Sequence, residues 1–173
     1  MTHQRTSIIV LTALLALGLQ ATTYYVDASR PNDSGAGTSW GSAKKSIQAA
    51  VDISASGDLV LVTNGVYNSG TRATPSYTCN NRVVIDKSIT VRSVNGPAYT
   101  FIEGSGTTAF GTPSAVRCVY LSAGAKLEGF TLQYGATQSL QTTTYYDDNT
   151  GGGCYANTLS CEVRNCVLRN CFA

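Results

Sequence analysis

Apolar residues recur along most of the chain in short runs separated by Gly, Asn, Pro or Ser. The runs are residues 23–26, 59–62, 83–85, 89–91, 100–102, 116–121, 127–132 and 163–168. Short apolar runs bounded by turn residues are typical of β-strands. The pattern therefore predicts an all-β chain built from many short strands.

One segment, residues 43–54, has a helical period instead. Its small apolar face consists of Ala43, Ile47, Ala50, Val51 and Ser54, at the spacing of one side of an α-helix. Ser42 is the predicted N-cap, and Gly57 follows the end of the helix. Trp40 is expected to pack on the same apolar face.

A repeat relates residues 126–135 to residues 162–171. It aligns Leu127 with Val163, Phe130 with Cys166, Thr131 with Val167 and Leu132 with Leu168, at an offset of 36 residues. Residues 89–94 give a weaker third copy that aligns Ile89 with Leu127, 38 residues later. Repeats at such a period indicate a solenoid, and a unit of strands and turns indicates stacked β-coils.

The irregular period is explained by insertions in the turns, because core-facing strands must keep their register. Residues 136–150 are interpreted as one such insertion and residues 72–81 as another. The helix precedes the first long strand, where it would cover the open end of the stack. The predicted fold is all-β, a right-handed parallel β-helix (β-solenoid) with an N-terminal capping α-helix.

Several of these segments resemble the N-terminal region of pectin-lyase-like right-handed β-helix proteins. They are Trp40, Ile47-Gln48-Ala49-Ala50-Val51, Gly57-Asp58 with the following strand, Asn64-Gly65-Val66-Tyr67, Gly104 and residues 127–132. Residues 151–155 and 164–171 also resemble, more loosely, the Gly-Gly-x and x-x-Asn repeats of bacterial surface proteins. The resemblance covers residues 22–173 and implies the fold. It does not choose among the lyases, hydrolases, adhesins and stalks that share this fold.

The N-terminus has the layout of a secretory signal peptide. Arg5 precedes an apolar run at residues 8–19, and Gln20-Ala21 leads into a polar stretch. The run is shorter than the roughly 18 residues that a spanning helix needs. The sequence therefore predicts a signal peptide at residues 1–21 and a mature chain without a membrane span at residues 22–173. The mature chain would be secreted, extracellular or on the outer cell surface.

Charge and residue types exclude several function classes. The net charge of +2 is too small for a nucleic-acid-binding surface. The single histidine, His3, lies in the signal segment, so residues 22–173 hold no histidine-dependent catalytic site. The six cysteines are Cys79, Cys118, Cys154, Cys161, Cys166 and Cys171. Their spacing lacks the close pairs of zinc sites, which favours a structural role as an interior ladder or a disulfide.

The candidate substrate-binding residues are Tyr145, Tyr146, Asp147 and Asp148, all within the longer insertion. Exposed tyrosines stack on sugar rings or dock a partner, although they could instead fold back onto the coils. Adjacent carboxylates on a strand point to opposite faces and do not form a hydrolase pair. A solvated loop or a weak calcium site is the alternative for the two aspartates. No catalytic residue, metal site or other cofactor is predicted.

Two residue pairs in the last repeat have structural interpretations. Arg164 and Arg169 are interpreted as solvated surface charge rather than a lyase base. Asn165 and Asn170 are expected to join an internal asparagine ladder between coils.

Two functions remain open at this point. The first is a non-catalytic adhesin, carbohydrate-binding protein or structural stalk, with a polysaccharide or a cell-surface component as partner. The alternative is a polysaccharide lyase or glycoside hydrolase with its catalytic residues beyond residue 173. The sequence stops at Ala173 inside a repeat, which we interpret as a piece of a longer protein.

Overall fold

The computed structural model describes residues 20–106, 114–137 and 150–172. The strands are β1 (Thr23–Val26), β2 (Leu59–Val62), β3 (Gly65–Tyr67), β4 (Arg72–Ala73), β5 (Asn80–Ile85), β6 (Thr90–Ser93), β7 (Thr100–Glu103), β8 (Val116–Leu121), β9 (Lys126–Glu128), β10 (Thr131–Gln133), β11 (Cys154–Ala156), β12 (Glu162–Arg164) and β13 (Val167–Arg169). A single turn of 3-10 helix at Trp40–Ser42 and the helix α1 (Ile47–Ile53) lie between β1 and β2.

The strands form three sheets that run along the stack. Sheet A has the order β1-β2-β6-β9-β12, sheet B has β3-β7-β10-β13, and sheet C has β4-β5-β8-β11. Neighbouring strands are parallel except for β4 and β5. From β2 onward the chain passes through sheets A, B and C in turn, and the short β4 adds a second strand to sheet C beside β5. The all-β parallel solenoid predicted from the repeat is therefore confirmed.

The register confirms the 36-residue repeat and corrects its third copy. Leu127 pairs with Val163, and Leu132 pairs with Leu168. The residue that pairs with Leu127 from the preceding coil is Val91, not Ile89, so the offset there is also 36. The predicted alignment was wrong by two residues because side chains alternate with a period of two. A shift of two keeps every side chain on the same face, so the apolar pattern cannot detect it.

Two runs that read as continuous strands are each divided by a corner. Gly129 (φ 83°) separates β9 from β10, and Asn165 (φ 48°) separates β12 from β13. Both lie in the left-handed region that favours glycine and asparagine. One residue in this conformation turns the chain from sheet A to sheet B.

The space between the three sheets is filled by inward-facing apolar side chains. Val60, Val91 and Leu127 form one column from sheet A, and each is almost wholly buried. Phe130, Ile102 and Leu121 are also fully buried. Because consecutive coils place like residues above one another, the core is continuous along the stack.

The helix begins later than its period indicates. Its N-cap is Ser46, whose Oγ accepts the Ala49 N–H at 3.3 Å. The prediction of Ser42 as N-cap was wrong, because residues 43–45 are not helical. Lys44 instead forms a parallel β-bridge with Val26 of β1, so the backbone at Lys44 is extended and pairs with β1. The helix still buries Ile47, Ala50 and Val51 as expected.

Helix α1 covers the first coil, and its side chains make hydrogen bonds to the backbone of β5 that a neighbouring strand would otherwise make. The Val84 N–H donates to Gln48 Oε1 at 2.8 Å, and Gln48 Nε2 donates to the Val84 carbonyl at 3.2 Å. Thus one amide satisfies both backbone groups of a β5 residue. The Lys87 ammonium donates to the carbonyls of Val51, Asp52 and Ser54 at 2.8–2.9 Å and so caps the C-terminus of the helix.

Trp40 does not follow the prediction that it packs with the helix face. Its ring meets the ring of Tyr25 edge to face, with centroids 4.7 Å apart, and the residue remains 42% exposed. Since Tyr25 belongs to β1, this contact extends the outer surface of sheet A.

Candidate functional site

The four predicted binding residues, Tyr145, Tyr146, Asp147 and Asp148, lie outside the described residues. Their assignment therefore stays a prediction. The described chain resumes at Thr150, whose carbonyl accepts a hydrogen bond from Arg117 on β8. Arg117 is the most deeply buried charged residue of the described chain.

Arg117 on β8 is fully buried and is the centre of a polar cluster. Its Nη1 donates to Asn81 Oδ1 at 2.9 Å and to Thr74 Oγ1 at 3.2 Å. Its Nη2 donates to the Thr150 carbonyl at 2.8 Å, and the guanidinium lies 5.0 Å from the centre of the Tyr155 ring. A buried guanidinium needs directed hydrogen bonds of this kind. Arg117 therefore joins β5 and the β4–β5 segment to the chain entering β11.

Sequence reasoning missed Arg117, although a signal was present. Arg117 is the one charged residue in the otherwise apolar run 116–121. Asn81 lies 36 residues earlier, so the repeat distance itself points to the partner. The cluster was not predicted because an arginine within a strand is usually exposed to solvent.

Several carboxylates are occupied by structural hydrogen bonds. Asp33 accepts the backbone N–H groups of Lys45 and Ser46 at 2.7 and 2.8 Å. Asp58 accepts the N–H of Thr22 at 2.7 Å and that of Ala55 at 2.7 Å. Both carboxylates therefore hold backbone groups next to the two ends of helix α1.

Two glutamates on the outer faces are also paired. Glu103 accepts from Gln133 Nε2 at 2.6 Å and from Asn68 Nδ2 at 3.2 Å. Glu162 pairs with Lys126 at 2.9 Å and also with Arg164. The hydrogen bond from Lys126, with a smaller effect of Arg164, holds the pKa of Glu162 below its ordinary value. Glu162 is therefore ionised at neutral pH.

The arginines and asparagines of the last repeat lie on the surface. Arg164 and Arg169 are exposed, as predicted, and Arg169 Nε donates to Gln133 Oε1 at 2.7 Å. The expected asparagine ladder is not found in the described coils. Asn165 and Asn170 are left-handed corner residues, and one repeat earlier the same corners hold Gly129 and Tyr134.

Five of the six cysteines are thiols that belong to the core cluster or pack against it. None of the six forms a disulfide, and four of them pack against the core cluster from its C-terminal side. These four are Cys154, Cys161, Cys166 and Cys171. Burial raises the pKa of Cys154 to about 12 and also raises that of Cys166. The thiols of Cys154 and Cys166 therefore stay protonated at neutral pH, which suits packing. The hydrogen bond with Cys118 instead lowers the pKa of Cys171.

A polar groove lies at the corner between sheets A and B; we call it the corner groove. Its volume is about 690 Å³. Gly129 lines it together with Ser93 and Gly96, and a Cβ on Gly129 would approach Ser93 Cβ at 3.3 Å and Gly96 Cα at 3.4 Å. The remaining lining consists of Leu61, Arg92, Val94, Asn95, Glu128 and Asn165.

Comparison with known proteins found no matching family model, no matching curated protein and no matching solved structure. In the described ranges, no cluster of three or more His, Cys, Asp or Glu side chains has the arrangement of a metal site. No helix in those ranges combines the length and apolar character needed to cross a membrane.

Proposed function

We propose that this chain is part of a secreted or cell-surface protein of the pectin-lyase-like right-handed β-helix type. It acts as a non-catalytic adhesin, carbohydrate-binding protein or structural stalk. The observation that carries the proposal is the register of the outer faces. Arg92, Glu128 and Arg164 follow one another on sheet A in consecutive coils, about 4.8 Å apart. A rigid face that repeats along its length suits an extended polymer with its own repeat.

The chemistry of the described residues supports a binding role over catalysis. Asp33, Asp58, Glu103 and Glu162 take part in hydrogen bonds or ion pairs that hold the fold together. Hydrolysis of a glycosidic bond needs one carboxyl that can give up a proton and a second across the bond. The Cys154 thiol is protonated at neutral pH, and residues 22–173 contain no imidazole.

The insertion at residues 136–150 supplies the proposed aromatic contacts. Tyr145 and Tyr146 would stack on sugar rings, and Asp147 and Asp148 would accept sugar hydroxyls or hold a weakly bound calcium ion. The alternative function is a polysaccharide lyase or glycoside hydrolase whose reacting groups belong to coils beyond residue 173. The pectin-lyase-like motifs are what favour this alternative.

The proposal is tested by co-sedimentation of the purified chain, residues 22–173, with a panel of insoluble polysaccharides. We expect binding to at least one of them, and we expect the double substitution Tyr145→Ala and Tyr146→Ala to weaken it. Trp40→Ala is the matched control, since Trp40 is 42% exposed and lies outside both the insertion and the corner groove. A chain that binds no member of the panel contradicts the carbohydrate-binding form of the proposal.

Catalysis and export are tested separately. The longest available form of the protein is incubated with pectate and calcium while unsaturated products are followed by ultraviolet absorbance. Product formation would replace the non-catalytic function with the lyase. Expression of the whole chain in a bacterial host, followed by N-terminal sequencing of exported protein, should give a start near residue 22. Retention of the uncleaved chain in the cytoplasm would contradict the secreted location.

A further inference from the structure

The corner groove exists because successive corners have different lengths. After β6 the chain makes a loop of six residues, 94–99, before β7 begins, whereas only Gly129 and Phe130 separate β9 from β10. The loop therefore stands out from the stack and the next corner is recessed. Asn165 on the following coil forms the other wall, with its Nδ2 3.9 Å from the place of a Cβ on Gly96. The loop and Asn165 thus border the recess on two sides.

The polar groups that line the corner groove are open to a ligand. The ion pairs of the described chain join Arg72 to Asp52 and Glu162 to Lys126 and Arg164. Within the described ranges, the side chains of Arg92, Glu128 and Asn165 take part in no such pair and no hydrogen bond. Asn95 donates its Nδ2 to Asn64 Oδ1 at 2.8 Å, which leaves its own Oδ1 as an acceptor. A guanidinium, a carboxylate and two amides thus offer donors and acceptors together.

The charges and the apolar lining restrict the class of ligand. Arg92 and Glu128 are neighbours in register on adjacent strands. Arg164, on the other side of Glu128, is paired with Glu162, so the charges cancel locally. An acidic sugar would gain from Arg92 and be repelled by Glu128, whereas neutral hydroxyl groups bond to both. Val94, which is 47% exposed, and Leu61 offer apolar surface for the C–H face of a sugar ring. The volume lies in the range of ligand sites, about 300–1,000 Å³.

We propose that the corner groove binds a neutral saccharide unit. Arg92 and Glu128 bond its hydroxyls from sheet A, and Asn95 and Asn165 bond it from the two walls. This inference rests on the carbohydrate-binding function proposed above and adds a site that is separate from the insertion. It also sets the ligand class, because the balanced charge selects against uronate polymers.

The test uses the purified chain, residues 22–173, labelled with ¹⁵N and titrated with neutral tetrasaccharides of glucose, galactose or mannose. We expect at least one of them to shift the amide signals of residues 94–96, Gly129 and Asn165. Glu128→Gln and Arg92→Gln should each weaken that binding at least about tenfold, the scale of a hydrogen bond to a charged group. Asn165→Gly should also weaken it, since glycine keeps the left-handed backbone and removes the amide.

The matched control is Asp86→Asn, which removes an exposed carboxylate outside the groove and should leave the affinity unchanged. Tetragalacturonate should bind more weakly than the best neutral tetrasaccharide. The inference is overturned if the shifted signals lie elsewhere, if tetragalacturonate binds best, or if the groove variants bind like the wild type. It is also overturned if no neutral tetrasaccharide binds. Co-sedimentation with polysaccharide separates the two proposals. If only the corner-groove site is wrong, the chain still co-sediments. If the carbohydrate-binding function is wrong, co-sedimentation is lost.

Discussion

The most informative substitution is Gln48→Ala, because it removes the side chain that makes the hydrogen bonds a neighbouring strand would otherwise make to β5. Val84 is only 1% exposed, and its N–H and carbonyl both bond to Gln48. Leaving a buried backbone group without a partner costs about 1–3 kcal/mol, and alanine regains a few tenths through its helix propensity. Water entering from the adjoining cavity of about 420 Å³, which Gln48 lines, would replace part of the bonding. We therefore expect a loss of about 2 kcal/mol.

The assay is urea unfolding of residues 22–173 followed by far-ultraviolet circular dichroism, with a thermal scan alongside. A loss of this size should lower Tm by about 4–8 °C for a domain of this length. Ile53→Ala is the control, because Ile53 is on the same helix and 42% exposed. It should change stability by no more than about 0.5 kcal/mol.

A second variant separates the two hydrogen bonds. Gln48→Glu keeps an acceptor for the Val84 N–H but sets a carboxylate against the Val84 carbonyl. Protonation supplies the missing donor, so relative to wild type this variant should regain stability as the pH falls through the glutamate pKa, near 4.3 when unperturbed. If Gln48→Ala unfolds within about 0.5 kcal/mol of the wild type, the helix does not complete the edge of β5 and the explanation of the cap is wrong.

Three further predictions concern the cap, a close contact and a thiol. Lys87→Met should cost about 2 kcal/mol in urea unfolding, because three helix carbonyls lose a charged donor; an unchanged midpoint would contradict this role. Gly135→Ala should lower Tm sharply, since a Cβ there overlaps the Gly152 carbonyl oxygen, whereas Gly41→Ala, with its nearest neighbour at 3.9 Å, should not. Burial raises the pKa of Cys154 from 9.0 to about 12. The folded state therefore keeps a proton that the unfolded state releases, and stability should fall as pH rises from about 9 to 12. Cys154→Ala should reduce that slope in urea unfolding at pH 8–10, and an equal slope in both proteins would refute the assignment.

The architecture could be predicted from the sequence because one coil length recurs. The pairing of Leu127 with Val163 follows from the repeat alone, and the helix before β2 follows from the helical period of residues 43–54. The start of the helix could not be predicted as well. Ser42 has the residue type of an N-cap, but the bridge between Lys44 and Val26 delays the helix, and that pairing depends on tertiary structure rather than on local preference.

The side chains that fix the cap and the buried cluster were not found from the sequence, although the repeat contains their partners. Gln48 and Val84, and likewise Arg117 and Asn81, are 36 residues apart, one coil length. Polar residues one coil length apart therefore indicate contacts between coils, which the pattern of apolar residues alone does not reveal. The corner groove could not be predicted, because it arises from a difference in loop length between consecutive corners. Loop lengths can be counted, but which corners stack is known only from the register.

Helix α1 has a practical meaning for protein engineering. A solenoid cut between coils exposes an adhesive edge, and designers usually hide it with an added domain or with surface charges. Here seven helical residues, among them Gln48, and Lys87 from the next coil cover the end. This cap requires from the coil only one strand residue with a free N–H and carbonyl, and a lysine that reaches the C-terminus of the helix. It is therefore small enough to be grafted onto unrelated β-solenoids as an end cap.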